Sequence, residues 1–308
     1  MPPKKDYFQW WKERIEAVKG FKNEANKFGL VTKRTYDVHA WGILKLSLLA
    51  FYVAVYSRII KAQFPQAYYL DLFAGPGLNR IKETGDLILG SPLLADLIPK
   101  PAKKFDKLLL IERDQNDANA LRKLLPKADV FHKDVNADGL DLALKVAQRG
   151  SASVPMLAFV DPEGLAVHWA TLDKLLRTWS DVIINYQPLA VRRTIGSIKT
   201  NPAYKNALNL YFGSDVWKDC ENDGQLFQSY LINIQQHKEV VIPIRVNGVG
   251  GFYYYIIFAV KRTKGAQEWI GAIERAREKI EQATSADAQR FLDIYKGKQL
   301  TFGLSSYT

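Results

Sequence analysis

One cysteine, two methionines and four histidines among 308 residues leave this chain short of the side chains that build cross-links and metal sites. Cys220 has no partner for an intramolecular disulfide and cannot supply a cysteine-based zinc cluster, which predicts a reducing, cytoplasmic setting. His39, His132 and His168 show no spacing that makes a metal site, so no metal is expected. Long apolar runs are missing too. The longest, Leu46 to Ser57, is closed by Lys45 and Arg58 and falls short of the ~20 residues that cross a bilayer. With Trp41, Leu44, Leu48 and Phe51 at helical spacing, it predicts a helix buried against a sheet and no membrane partner. No apolar run follows the opening Met-Pro-Pro-Lys-Lys-Asp, so no secretory signal is expected. There is no internal repeat and no low-complexity tract.

Apolar and basic residues are plentiful. Hydrophobic residues make up 47% of the chain and include 15 Tyr, 15 Phe and 7 Trp, enough for a substantial core and too many for a disordered chain. Lys and Arg exceed Asp and Glu by 43 to 32, a net charge of +11, and the excess is uneven. Residues 1–34 hold Lys4, Lys5, Lys12, Arg14, Lys19, Lys22, Lys27, Lys33 and Arg34, interleaved with Phe8, Trp10, Trp11 and Phe21. A second basic segment carries Arg192, Arg193, Lys199 and Lys205, with no acid from Ala190 to Asn206. Such mixtures suit a nucleic-acid backbone and exposed bases, DNA or RNA. They equally suit a solvated surface over an amphipathic helix that turns its aromatics inward.

Four apolar strands, each ending in an acid, carry the functional signal. Ala67-Tyr-Tyr-Leu-Asp71 runs into Leu-Phe-Ala-Gly-Pro-Gly77, where bare glycine backbone admits a small charged cofactor beside Asp71. Lys107-Leu-Leu-Leu-Ile-Glu112 ends in a carboxylate placed to accept two ribose hydroxyls. Ala128-Asp-Val-Phe-His-Lys-Asp134 offers an acceptor for an adenine amino group, and Met156-Leu-Ala-Phe-Val-Asp161 stops at Asp-Pro-Glu163. The carboxyl ends of a parallel sheet share one crevice. Ser91-Pro92 predicts a helix start with Ser91 as N-cap and Pro in the first turn; its free amides would meet an anion such as the cofactor carboxylate, or serve only as a cap. Lys45 either meets that carboxylate or reaches past its helix to water.

The segments DLFAGPG, GSPLLA, FVDPEGL and YFGSDVW, in that order, resemble the class I S-adenosylmethionine-dependent methyltransferases. Among these the pattern is similar to the three-Cys-motif partner proteins, over roughly residues 36 to 260. The resemblance implies a Rossmann-like, doubly wound, seven-stranded sheet with a terminal antiparallel hairpin. It implies S-adenosylmethionine as cofactor, with Asp71, Gly75 and Gly77 at the methionine end, Glu112 at the ribose and Asp134 at the adenine; Phe73 and Ser91 are expected among the cofactor-binding residues. Asp161 would face the transferred methyl. It also implies a partner protein bearing three cysteines. Where that family commonly has an aromatic after Asp-Pro, Glu163 stands here, so a base-stacking platform at that position is not expected; Asp161 and Glu163 would orient an amine or hydroxyl and accept its proton.

The expected layout is a basic helical extension over 1–35, a methyltransferase-like domain over 36–265 and a C-terminal helical segment over 266–308. Strands are predicted near 67–72, 107–111, 128–132, 156–160, 181–186, 240–246 and 252–260. An insertion over 187–239 would form a helical lid that brings Arg192, Arg193 and Lys199 to the substrate. Two function classes remain at this point: a methyltransferase acting on nucleic acid, and a non-catalytic protein that uses the fold to hold nucleic acid or a partner protein.

Overall fold

A computed structural model describes residues 6–148, 154–262 and 266–297. Lys4, Lys5 and the last eleven residues of the expected C-terminal segment lie outside the described residues. In chain order the elements are α1 (Tyr7–Lys19), α2 (Lys22–Val31), β1 (Tyr36–Val38), α3 (Gly42–Gln63), β2 (Tyr68–Asp71), β3 (Leu78–Ile81), β4 (Leu87–Leu89), α4 (Ser91–Leu97), β5 (Lys107–Glu112), α5 (Gln115–Leu124), β6 (Asp129–His132), α6 (Leu140–Ala147) and β7 (Met156–Val160). They continue with α7 (Trp169–Leu176), β8 (Ser180–Tyr186), α8 (Pro188–Gly196), α9 (Tyr204–Phe212), α10 (Asp223–Gln235), β9 (Val240–Asn247), β10 (Tyr253–Val260), α11 (Ala266–Ile280) and α12 (Ser285–Tyr295).

The main sheet has seven strands in the order β6-β5-β2-β7-β8-β10-β9. Its pairings are parallel from β6 to β8, and β10 runs antiparallel to both its neighbours. This is the doubly wound sheet with a terminal hairpin expected above. Its strands read as apolar runs because helices cover both faces. Side chains alternate between two cores with the period of two that a strand imposes. Tyr69, Leu110, Leu157 and Phe159 face α3, α4, α5 and α11, whereas Leu70, Ile111, Ala158 and Val160 face α6 to α10. The chain turns to opposite sides of β2 for β5 and β7, which opens a crevice at the carboxyl ends of those three strands.

Two parts depart from expectation, and at the N-terminus one of the two readings is realised. The segment between Gly77 and the helix start at Ser91, for which no strand was predicted, forms a β3–β4 hairpin with β1 parallel to β3 in a separate three-stranded sheet. Strands of three or four residues leave little periodicity to read. The insertion after β8 is no free lid: Leu208, Tyr211, Phe212 and Tyr230 bury themselves in the core on the second face of the sheet. Gly213 ends α9 with φ +76°, and a Cβ there would stand 2.4 Å from the Trp169 ring, which explains the glycine of Tyr-Phe-Gly. At the N-terminus the aromatics turn inward. Trp10 is 8% and Trp11 1% exposed; Trp11 stacks on Phe291 of α12 at 5.3 Å, and Arg14 lies over Trp10 at 4.4 Å. The helix α3 is long and apolar enough to cross a membrane, and most of its apolar stretch is buried inside the fold.

Candidate cofactor cleft

The crevice is a cleft of about 480 Å³, within the range of small-molecule sites. Its floor comes from the ends of β2, β5, β6 and β7. Tyr36 and Val38 of β1, with Gly42 and Lys45 of α3, form its roof. Of the sequence-predicted residues, Phe73, Gly75, Ser91, Glu112, Asp134, Asp161 and Glu163 all line it.

Gly75 has φ +60°, a conformation that L side chains rarely adopt, and a Cβ built there meets nothing within 4 Å. The backbone at this turn therefore lies bare to the cleft. Its amide donates to Glu112 Oε2 at 2.8 Å, and the Asp114 amide donates to Glu112 Oε1 at 2.7 Å. Both oxygens are thus aimed by backbone and each retains a second lone pair. Burial raises the Glu112 carboxyl above its ordinary value, and these amides oppose the rise. Asp134 accepts from the Asn136 amide at 2.8 Å. Asn136, missed in the sequence, ties this wall to the next loop: its Nδ2 donates to the Ala166 carbonyl at 2.8 Å, and its Oδ1 accepts from the His168 amide at 2.9 Å.

Asp71 and Gly77 stand behind the cleft. Asp71 is fully buried and accepts from the Tyr69 hydroxyl at 3.1 Å and the Phe73 amide at 3.2 Å. Burial pushes its carboxyl up to about 7 despite these bonds and one from Ser91. Its oxygens are engaged within the turn, and it is not among the residues that line the cleft. Gly77, at φ +84°, lets α5 approach: a Cβ there would meet Leu121 at 3.2 Å and Leu124 at 3.3 Å. Ser91 is the first residue of α4 and Gly90 its N-cap; the Ser91 hydroxyl goes to Asp71 instead of capping.

At the other end of the cleft, Asp161 stands between the end of β7 at Val160 and Pro162, and a residue before proline is disfavoured from helical backbone. Lys45 Nζ pairs with Asp161 Oδ2, and Asn185 Nδ2 donates to Oδ1 at 2.7 Å. Lys45 therefore points into the cleft and not past its helix to water. Only tertiary structure joins these groups, 116 and 24 residues apart in sequence. Glu163 is exposed at the rim. Near Glu112, Arg34 pairs with Asp117 and, at 3.4 Å, with Asp114, which straps the segment before β1 to the first turn of α5.

Arg192, Arg193 and Lys199 do not line the cleft. They sit on or just after α8, exposed, with Arg192 held by Asp223. The sequence pattern marks their charge correctly but not their direction. His39 pairs with Glu83 at 3.0 Å and stacks on Trp41 at 4.1 Å.

No protein-family profile and no curated protein matches this chain. Among solved structures it is similar to protein LPL1258 from Legionella pneumophila, at 13% identity and a TM-score of 0.45 over 76% of this chain and 93% of that one. It is similar to human methyltransferase-like protein 13, solved with SAH, at 16% identity and a TM-score of 0.41 over 85% and 96%. Trm1 from Pyrococcus horikoshii, solved with S-adenosyl-L-methionine, gives 10% identity and a TM-score of 0.35 over 71% and 57%.

Proposed function

We propose that the chain is an S-adenosylmethionine-dependent methyltransferase whose acceptor is a nucleic acid. The observation that carries the cofactor is the joined geometry of Gly75 and Glu112: a glycine turn with its open side to the cleft, bonded to a carboxylate at the next strand end. Glu112 would accept the two ribose hydroxyls, Asp134 the adenine amino group, and the bare Gly75 backbone would lie along the thioether. The bound sulfonium supplies an already activated methyl group. The protein's part is then to align the acceptor and take its proton. Glu163 at the rim is the carboxylate for that proton. Asp161, engaged by Lys45 and Asn185, positions the donor.

Charge supports the acceptor class. Gln187 donates to the Pro162 carbonyl at 3.1 Å, so α8 begins beside the Asp161–Glu163 loop. Arg193, five to six residues along, stands roughly 8 Å further on at a helical rise of ~1.5 Å per residue. The N-terminal aromatics give no support, since they are core. The test is mass analysis of nucleosides from DNA and RNA incubated with the protein and isotopically labelled S-adenosylmethionine. Labelled methyl in one nucleoside is the expected result. Transfer to protein or small molecules alone would refute the acceptor class, and cofactor binding without any transfer would favour a binding protein. Nucleic-acid affinity should fall steeply with salt as counterions are released, and Arg193→Ala with Lys199→Ala should flatten that slope. An unchanged slope would make this segment ordinary surface.

A further inference from the structure

A second cavity lies at the far end of the sheet from the cleft, where the parallel strands begin. It measures about 40 Å³, against the ~10–15 Å³ that a water needs. Pro155 precedes β7, Ser180 and Asp181 open β8, and Lys261 follows β10, so the sheet supplies one side of it. Four aromatic rings line the rest: Tyr56 and Phe64 from the end of α3, Trp269 from α11, and Trp179 just before β8. They stand as two edge-to-face pairs, Tyr56 with Trp269 at 5.3 Å and 75°, and Phe64 with Trp179 at 5.3 Å and 78°. Phe64 and Trp179 are half-buried and Gln63 is exposed, so the cavity opens to solvent.

The carboxylate among these rings is short of a counter-charge. Asp181 shares the strand face of Ile183, which looks towards α3 and α11. The Lys261 backbone amide donates to it, and among the described residues no side chain pairs with it directly. Lys238 acts on it from further off, its ammonium being taken by the Thr178 carbonyl at 3.1 Å and by the Ser180 carbonyl. The Lys261 charge bears on Glu239, and burial together with the Asp181 charge holds the Tyr56 hydroxyl protonated. Burial pushes the Asp181 carboxyl up to about 7, as happens to an anion that its neighbours neutralise only in part.

We propose that this cavity binds a methylated ammonium group. The face of an aromatic ring attracts a cation, most strongly where both are desolvated, and Asp181 supplies the opposite charge at the same point. Methyl groups spread that charge, lie against the rings and leave less hydration to lose than a bare ammonium has. A metal ion does not fit: no three His, Cys, Asp or Glu stand together among the described residues, and one carboxylate leaves a hard cation short of oxygen ligands. The small volume takes the head group alone, whether of a free small molecule or of a methylated lysine side chain. The site is independent of the cofactor cleft.

NMR titration of the full chain at about pH 8, above the Asp181 value, tests this. The probes are choline, an N-acetyl trimethyllysine amide, and 3,3-dimethylbutanol, the uncharged carbon analogue of choline; at least one cation should bind ~10-fold or more tightly than the alcohol. It should also move the Trp179 indole N–H signal, which is assigned by its loss in Trp179→Leu. Tighter binding of choline marks a free small molecule as the ligand, and tighter binding of the amide marks a protein side chain. Asp181→Asn and Trp179→Leu should each weaken the cation by about 10-fold or more, with the dispersion of the remaining signals reporting that the variants are folded. If the cations bind no better than the alcohol, or Asp181→Asn binds as wild type does, the charge recognition is wrong. If no cation binds, or one binds without moving the Trp179 signal, the cavity is not the site.

Discussion

Replacing Asp71 by Asn should change how the protein's stability depends on pH. Asp71 lies fully buried beneath the glycine turn, and burial moves its carboxyl from an ordinary 3.8 to about 7. The folded protein thus keeps a proton there that the unfolded chain releases about three pH units lower. Between these values the folded state binds more protons, so the stabilising contribution of Asp71 is full below about pH 4 and is lost as pH rises to about 7. At ~1.4 kcal/mol per pH unit the loss amounts to ~4 kcal/mol. Asn keeps the shape: its oxygen can accept from the Phe73 amide and its NH₂ can donate to the Ser91 or Tyr69 oxygen. The assay is urea unfolding of wild type and Asp71→Asn at half-unit steps from pH 4 to 8. The difference between the two curves isolates Asp71 from other buried groups such as Asp181, which burial also raises to about 7. A difference that stays flat across this range would refute the burial argument.

Glu112→Ala should cost ~1.5–3 kcal/mol of S-adenosylhomocysteine binding by calorimetry, because a charged acceptor is lost; equal affinity would remove Glu112 from the site. The two glycines of the turn should separate by effect. Gly75→Ala should strain the backbone by ~1–2 kcal/mol and also weaken ligand binding, whereas Gly77→Ala, which meets Leu121 and Leu124, should lower the melting temperature with less effect on the affinity of the protein that remains folded. Glu163→Gln should slow methyl transfer by ~10²-fold; wild-type turnover would show that Glu163 is only a loop residue.

The sheet was legible because each central strand is buried on both faces and so appears as an apolar run, and its acids follow those runs directly. Glu112 and Asp134 needed only that order to be placed. The burial of Asp71 was not legible for the same reason: an acid at a strand's last position faces either the crevice or the layer beneath it, and sequence does not say which. Lys45, Asn185 and Asp161 come from α3, β8 and β7, so their meeting is a product of packing alone. The inward turn of Trp10 and Trp11 depended likewise on α12, whose Phe291 supplies the surface they cover.

The packing of α1 on α12 bears on how this chain is made. Phe8 and Trp11 meet Phe291 at 5.1 and 5.3 Å, and the Tyr7 hydroxyl donates to Asp287 at 3.2 Å across 280 residues. At ~5–20 residues per second, ribosomal synthesis separates these partners by roughly 15–60 s. Trp10 can dock on Phe51 of α3 early, but the Phe8 and Trp11 side of the first helix must wait for nearly the last. A nascent chain therefore carries an uncovered aromatic face through the whole interval between α1 and α12, and α1 finds its full set of neighbours only after every strand of the sheet has been made.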